Sequence, residues 1–169
     1  MTITETLTRG NDGEGVSWVA LVASVLVCEL AGIVPSLLTA DEVATWYPTL
    51  AKPAFTPPSW LFGPVWTTLY LLMGVALYLV WRSDDGRPRT VALALFGAQL
   101  VLNAAWTMVF FGAQAIFGGL VVILVLLATI LATIGAFARI DRRAAALLVP
   151  YLLWVGFATA LNLQIWRLN

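Results

Sequence analysis

Residues 116–138 read IFGGLVVILVLLATILATIGAFA, and no charged side chain interrupts them. An α-helix rises about 1.5 Å per residue, so about 20 apolar residues cross the roughly 30 Å hydrocarbon core of a bilayer. A stretch of this length and composition predicts a transmembrane helix.

Four more stretches reach a comparable length, at 16–38, 64–81, 90–111 and 144–166. The composition of the chain agrees, because 61% of its residues are hydrophobic, only 11% are charged, and the mean hydropathy is +0.92. A soluble domain is about half apolar and about a quarter charged. We therefore predict an all-α integral membrane protein, in which residues 16–169 form one domain, a bundle of five transmembrane helices.

The polar leader, residues 1–15, does not have the pattern of a secretory signal peptide. It carries Glu5, Asp12 and Glu14 against Arg9, so it lacks a basic start. The apolar stretch that follows is also longer than the apolar part of a signal peptide. We expect the leader and the first helix to be retained, and the leader suggests no role.

Composition also excludes several classes of function. The formal net charge is zero, which speaks against nucleic-acid binding because that needs a basic face. The chain has no His and a single cysteine, Cys28, so it has neither an internal disulfide nor a Cys/His metal or catalytic site. No nucleophile elbow, phosphate-binding loop or metal cluster is visible, and we expect no metal site.

The connection between the first two predicted helices is the longest, and we call it the lid, residues 39–63. It contains WYP at 46–48 and KPAFTPPSW at 52–60. Proline fixes φ and removes a hydrogen-bond donor, so the prolines predict a stiff, irregular segment and no additional helix. We predict an ordered loop that covers one end of the bundle.

The distribution of basic residues predicts the orientation of the helices. Seven of the nine Lys and Arg residues fall in the leader and in the second and fourth connections: Arg9, Arg82, Arg87, Arg89, Arg139, Arg142 and Arg143. Lys52 of the lid and Arg167 near the C-terminus lie on the other side. Because cytoplasmic loops are enriched in Lys and Arg, we expect a cytoplasmic N-terminus, with the lid and C-terminus outside.

Aromatic and amide side chains recur at helical spacing on three of the predicted helices. The stripes are Trp66 and Tyr70 on the second, Gln99, Asn103 and Trp106 on the third, and Pro150, Trp154, Ala158 and Asn162 on the fifth. Polar groups within a bilayer face the bundle interior. The stripes therefore predict either a cavity for a planar aromatic ligand or interhelical hydrogen bonds within an aromatic core.

Other features have two interpretations that the sequence leaves open. Glu29 is the only carboxylate deep in a predicted helix, and it is either a functional group or a tolerated one near the interface. Small residues recur at four-residue spacing, at Ala94 and Ala98 on the third helix and at Ala128, Ala132 and Ala136 on the fourth. Such rows mark close helix packing, within the monomer or between monomers.

Several motifs in this chain resemble the TspO/MBR family, which includes the tryptophan-rich sensory proteins and the translocator protein, or peripheral benzodiazepine receptor. The motifs are WY at 46–47, KP at 52–53, TPP at 56–58, Trp66, NAAW at 103–106, FFG at 110–112, VPYLLW at 149–154 and ATALN at 158–162. The resemblance implies a five-helix membrane protein, usually a homodimer, that binds porphyrins such as protoporphyrin IX or haem. No other cofactor is implied.

The resemblance also implies which residues line the ligand site, between the lid and the second, third and fifth helices. They are Tyr47, Pro57, Trp66, Tyr70, Asn103, Trp106, Trp154 and Ala158. One departure concerns sterols, because Leu163 stands where the family's C-terminal sterol motif needs Tyr, although 75–82 loosely fits the pattern.

Three functions follow from the resemblance. We expect a receptor that senses or transports tetrapyrroles in the membrane, more than an enzyme. The alternative is a light-dependent enzyme that degrades porphyrin, in which Trp66 and Trp154 take part in photo-oxidation. A third possibility is a scaffold whose lid recruits partners.

Overall fold

The structure, a computed structural model, describes residues 16–84 and 86–169, and five of its helices are long and apolar enough to cross a membrane. The predicted five-helix fold of an integral, multi-pass membrane protein is thus confirmed. The predicted leader, 1–15, lies outside the described residues. The elements are α1 (Trp18–Leu38), α2 (Ala40–Thr45), α3 (Ser59–Trp81), α4 (Arg87–Thr107), α5 (Ile116–Ala138), α6 (Arg142–Leu147) and α7 (Val149–Leu168).

Prolines explain two differences between the predicted and observed helix bounds. Helix α3 begins at Ser59 and continues through Pro64, where the prediction began, because a proline near a helix start removes only one intrahelical bond. The fifth span divides into α6 and α7 at Leu148. Pro150 cannot donate to the carbonyl one turn earlier, so the helix loosens there.

The third span ends in a single π-helical turn, Met108–Gly112, directly after α4. Such turns insert one extra residue into a helix and change which side chains face inward. Here the turn carries Phe110 and Phe111, whose ring centroids lie 4.8 Å apart at the lid end of the bundle.

The lid contains a helix that the sequence analysis had excluded. Residues Ala40–Thr45 form α2, and Tyr47–Thr49 form a 3-10 turn. Asp41 and Glu42 lie in the first turn of α2, where acidic side chains favour a helix through its dipole. The prolines that suggested an irregular segment all follow α2. Pro48 lies in the 3-10 turn, and residues 50–58 contain no regular helix.

The spans pack as a ring in the order α1, α3, α6–α7, α5 and α4, with α4 returning to α1. Helices α1 and α3 approach closely, since a Cβ on Gly74 would lie 2.5 Å from the backbone of Val25. Helix α3 contacts α6 more extensively than α7. The seam between α3 and the fifth span is therefore looser toward the lid, where the candidate site lies.

Candidate ligand-binding site

A buried hydrogen-bond network joins three helices and forms what we call the floor of the site: Tyr70, Gln99, Asn103 and Tyr151. The Tyr70 hydroxyl donates to Asn103 Oδ1 at 2.7 Å, and Asn103 Nδ2 donates to the Tyr151 hydroxyl at 3.0 Å. That hydroxyl in turn donates to Gln99 Oε1 at 2.9 Å. Because water is absent from a bilayer interior, these mutual bonds satisfy groups that would otherwise be costly to bury, whereas Gln99 Nε2 is buried without a partner among the described residues.

The position of Tyr70 depends on a glycine of the neighbouring helix. Gly32 on α1 presents only a hydrogen to the Tyr70 ring, and a Cβ there would clash with three of its ring atoms. Trp66, one turn earlier on α3, stacks on Tyr70 with ring centroids 5.5 Å apart, and meets the edge of Tyr151 at 6.3 Å. Aromatic faces thus lie directly above the polar floor.

A second aromatic group connects the lid with the π-helical turn. Tyr47 contacts Phe110 and Phe111 edge-on, at 6.4 and 5.5 Å, and Trp106 stacks on Phe110 at 5.5 Å. The indole of Trp106 donates to Asn162 Oδ1 at 3.2 Å. Burial raises the pKa of the Tyr47 phenol above its ordinary value, so this hydroxyl is neutral at physiological pH.

The wall formed by α7 consists of Trp154 and Phe157. Trp154 lies 5.8 Å from Phe62 of α3 and 5.4 Å from Phe157, which in turn meets Phe55 of the lid at 6.1 Å. Trp154 Nε1 is buried and has no hydrogen-bond partner among the described residues. The indole therefore offers a donor to an acceptor atom entering this space.

The lid is held to the bundle mainly by ring contacts and by one amide. Asn169 accepts from the backbone N–H of Ala51 at 3.0 Å and donates to its carbonyl at 3.0 Å. Lys52 Nζ donates to the carbonyls of Pro48 and Leu50 and lies 4.6 Å from the centre of the Tyr47 ring. These polar contacts are exposed or partly buried, in contrast to the floor.

The predicted site residues fall into groups within this arrangement. Trp66, Tyr70 and Asn103 belong to the floor and the rings above it, while Tyr47 and Trp106 belong to the group around Phe110. The remaining three residues are Pro57, half-buried in the lid, Trp154 on the α7 wall and Ala158, buried one helical turn after Trp154. Both polar atoms of Asn103 are occupied by tyrosines, so in this closed state it orients the floor.

The structure adds residues that the sequence-based site omitted. Tyr151 is 1% exposed and makes two of the three floor bonds. Phe62 and Phe157 pack against Trp154. The signal for Tyr151 was its spacing, three residues before Trp154 on one helix, but a tyrosine among apolar residues also suits simple core packing.

The open space that adjoins the site is a lateral cleft between α3 and α7. Its volume is about 270 Å³, and its lining is Pro64, Val65, Thr68, Leu69, Leu72 and Pro150. The cleft faces outward, where the lipid would be. Aromatic rings fill the interior behind it, so a large ligand needs them or the lid to move.

The residues around the candidate site are mostly neutral and apolar. Trp66, Trp106 and Trp154 supply aromatic surface, and Lys52 of the lid lies over the ring of Tyr47. Among residues 16–84 and 86–169, no cluster of His, Cys, Asp or Glu could hold a metal ion. Glu29 is half-buried on α1 and is not part of the floor network.

Comparison with known proteins places this arrangement among related membrane proteins. The TspO/MBR family matches residues 24–167. A tryptophan-rich protein TspO from Archaeoglobus fulgidus is 45% identical over 152 residues, covering 88% of this chain and 96% of that protein. The translocator protein of Homo sapiens is 41% identical over 154 residues, covering 90% and 91%. A tryptophan-rich sensory protein from Cereibacter sphaeroides is 38% identical over 152 residues, covering 90% and 92%.

Proposed function

Since the chain belongs to the TspO/MBR family, we propose that it binds a porphyrin of the protoporphyrin IX type and acts in the membrane as a sensor or transporter. The names of its relatives, a translocator protein and a tryptophan-rich sensory protein, support the membrane role. The bound porphyrin lies beneath the lid, between α3, α4 and α7.

The observation that carries this proposal is the combination of flat aromatic walls with a polar floor. Trp66 and Trp154 stand on α3 and α7, the two helices that separate toward the lid. A porphyrin is planar and apolar over most of its area, so it gains from stacking on such rings. The unpaired Trp154 indole donor and the Lys52 cation suit its polar edge and its carboxylates.

The closed arrangement implies that binding is coupled to movement of the lid. Phe55 of the lid rests on Phe157, and Tyr47 rests on Phe110 and Phe111. Those contacts occupy the space that the porphyrin takes. Opening the lid frees this space, and reclosing over the ligand gives a sensor two distinct states.

Two further properties belong to the same proposal. Arg82, Arg87 and Arg89 lie on the side of the bundle away from the lid, and the enrichment of basic residues in cytoplasmic loops favours an orientation with the lid outside the cytoplasm. Ala94 and Ala98 on α4 are exposed on the outer surface of the bundle. Small exposed residues allow close approach of a second helix, and we propose that the protein is a homodimer.

The test is a titration of the full chain in lipid nanodiscs with protoporphyrin IX, followed by porphyrin absorbance. We expect a saturable signal that fits one site per chain and that is weakened in Trp66→Ala. Trp18→Ala is the matched control, because Trp18 is 68% exposed and far from the site. A signal that rises linearly, or equal losses in both variants, would show that the porphyrin only partitions into the lipid.

The enzymatic alternative rests on the chain of oxidisable rings at the floor. Trp66 stacks on Tyr70 and touches Tyr151, so an electron removed from one ring has neighbours within 5.5 and 6.3 Å. Incubation with protoporphyrin IX in light and in darkness distinguishes the functions. Light-dependent loss of the porphyrin spectrum that disappears in Trp66→Phe would favour the enzyme, whereas equal spectra favour binding alone.

A further inference from the structure

A groove of about 510 Å³ runs along the outer surface between α1 and α3. The groove exists because the side chains on α1 are small, namely Ala20, Ala23 and Ser24. On α3 it is bordered by Leu77 and Trp81. None of the porphyrin-site residues lines it. The groove is therefore separate from the site beneath the lid.

The dimensions of the groove match one leaflet of a bilayer. Its lining on α1 extends from Ser17 to Val27, which at about 1.5 Å per residue is about 15 Å. The hydrocarbon core of a bilayer is about 30 Å thick, so the groove reaches from one interface to about the midplane. The N–H of Ser17 donates to the Tyr78 hydroxyl at 3.0 Å, which holds α1 to α3 at the interfacial end.

Two arginines lie at that same end. The Arg82 guanidinium lies 5.7 Å from the centre of the Tyr78 ring, and the Arg89 guanidinium lies 6.0 Å from that of Trp81. Arg89 also donates to the carbonyl of Ser83 at 3.2 Å. The Tyr78 side chain contacts both Arg82 and Ser17, which lines the groove, so a positive charge lies beside the mouth of this apolar groove.

We propose that this groove binds an anionic phospholipid, with one acyl chain between α1 and α3 and the phosphate beside Arg82. Guanidinium groups bind phosphate through charge-assisted hydrogen bonds. Arg139 and Arg142 lie at the same end of the bundle, so this end faces the leaflet that attracts basic residues. A second copy of the chain is a poorer occupant, because the Arg82 side chains of the two copies would approach each other.

The test is native mass spectrometry of the full chain in detergent, with dioleoyl phosphatidylglycerol and dioleoyl phosphatidylcholine in competition. These lipids share their acyl chains and differ in headgroup charge. We expect preferential retention of phosphatidylglycerol, and a loss of about fivefold in that preference for Arg82→Gln. Arg167→Gln is the matched control, because Arg167 is exposed at the lid end of α7.

A second pair of variants tests the groove without changing charge. Ala23→Trp fills the groove and should reduce retention of both lipids, whereas Leu131→Trp on the exposed face of α5 should not. Circular dichroism first establishes that each variant is helical. Equal retention of the two lipids by the wild type, or equal effects of the two arginine variants, would overturn the proposal. So would an Ala23→Trp variant that binds lipid normally but changes oligomeric state, since the groove would then be a protein interface.

Discussion

The floor and the lid of the candidate site are held together in different ways. In the floor, Tyr70, Asn103 and Tyr151 are at most 6% exposed, and each bonds to the next. In the lid, the amide of Asn169 holds Ala51 at an exposed position. When a buried hydrogen bond breaks, no water is present to bond to its donor and acceptor. When an exposed one breaks, water takes the place of the lost partner. The contrast indicates a rigid base and a cover whose polar contacts can be replaced by water when it opens.

This contrast assigns different tasks to two asparagine side chains. Asn103 fixes the orientation of two tyrosines from different helices and so defines the shape of the site. Asn169 fixes the backbone of a loop, and under the proposed function it limits how readily the lid opens. We therefore expect the free energy of unfolding to depend on Asn103, and the rates of ligand binding and release to depend on Asn169.

The largest effect is expected for Asn103→Ala. It leaves the hydroxyl of Tyr70 without its acceptor and that of Tyr151 without a donor. An unsatisfied buried polar group costs about 1–3 kcal/mol, and interhelical bonds in membranes lie toward the lower end. We expect the free energy of unfolding to fall by about 2–3 kcal/mol, measured by SDS titration in mixed micelles. Asn169→Ala should lower it by less than about 1 kcal/mol, and similar losses from both would contradict the contrast.

The next prediction concerns Gly32, whose lack of a side chain leaves room for the ring of Tyr70. Gly32→Ala places a methyl group against the Tyr70 ring, whose hydroxyl is bonded to Asn103. Overpacking costs about 1–3 kcal/mol, and the better helix propensity of Ala offsets part of it. We expect a loss of about 1–2 kcal/mol in unfolding free energy.

The matched control for this substitution is Gly135→Ala on α5, where an added Cβ meets no atom within 4 Å. It should leave stability unchanged or raise it slightly. If Gly32→Ala behaved like Gly135→Ala in the same titration, the ring of Tyr70 would be free to move, and the floor would not be rigid.

The third prediction concerns Trp66, the aromatic ring that lies above the floor. Trp66→Ala removes a ring that stacks on Tyr70 and touches Tyr151. Stacking contributes about 0.5–1.5 kcal/mol beyond the buried area. We expect porphyrin affinity to fall at least about tenfold, or roughly 1.4 kcal/mol, by fluorescence quenching. Trp60→Ala, at a residue 71% exposed, should change it little, and an equal loss would remove Trp66 from the site.

The floor also shows how far sequence reasoning reached. Length and apolarity were enough to predict five transmembrane helices, because the bilayer sets the same requirement for each. Helical spacing brought Tyr70 and Asn103 into consideration, because polar groups in membranes face inward. The bond between them depends on how α3 crosses α4, and spacing within one helix does not contain that information.

Other features needed the packed structure for similar reasons. Tyr151 resembles a core residue until its hydroxyl is seen between Asn103 and Gln99. The need for a glycine at position 32 is apparent only from the ring of Tyr70, which lies on another helix. The short helix α2 was missed because the prolines further along the lid dominated the prediction.

The smallest effect on stability, and the sharpest test of the lid, comes from Asn169→Ala. The side chain makes both bonds to Ala51 and also donates to the carbonyl of Ile165 at 2.8 Å, so the variant loses all three bonds. The backbone N–H of residue 169 still bonds to Ile165 in the variant. Loss of the clamp should speed hydrogen exchange of the lid amides, because local opening becomes easier. If the lid controls access, the association and dissociation rates of protoporphyrin IX should both rise several-fold, with little change in affinity.

Arg167→Ala, on the same exposed turn of α7, is the control for a change that leaves the clamp intact. Faster lid exchange with unchanged porphyrin rates would show that the ligand enters by another route, and the lateral cleft between α3 and α7 is then the entrance to test.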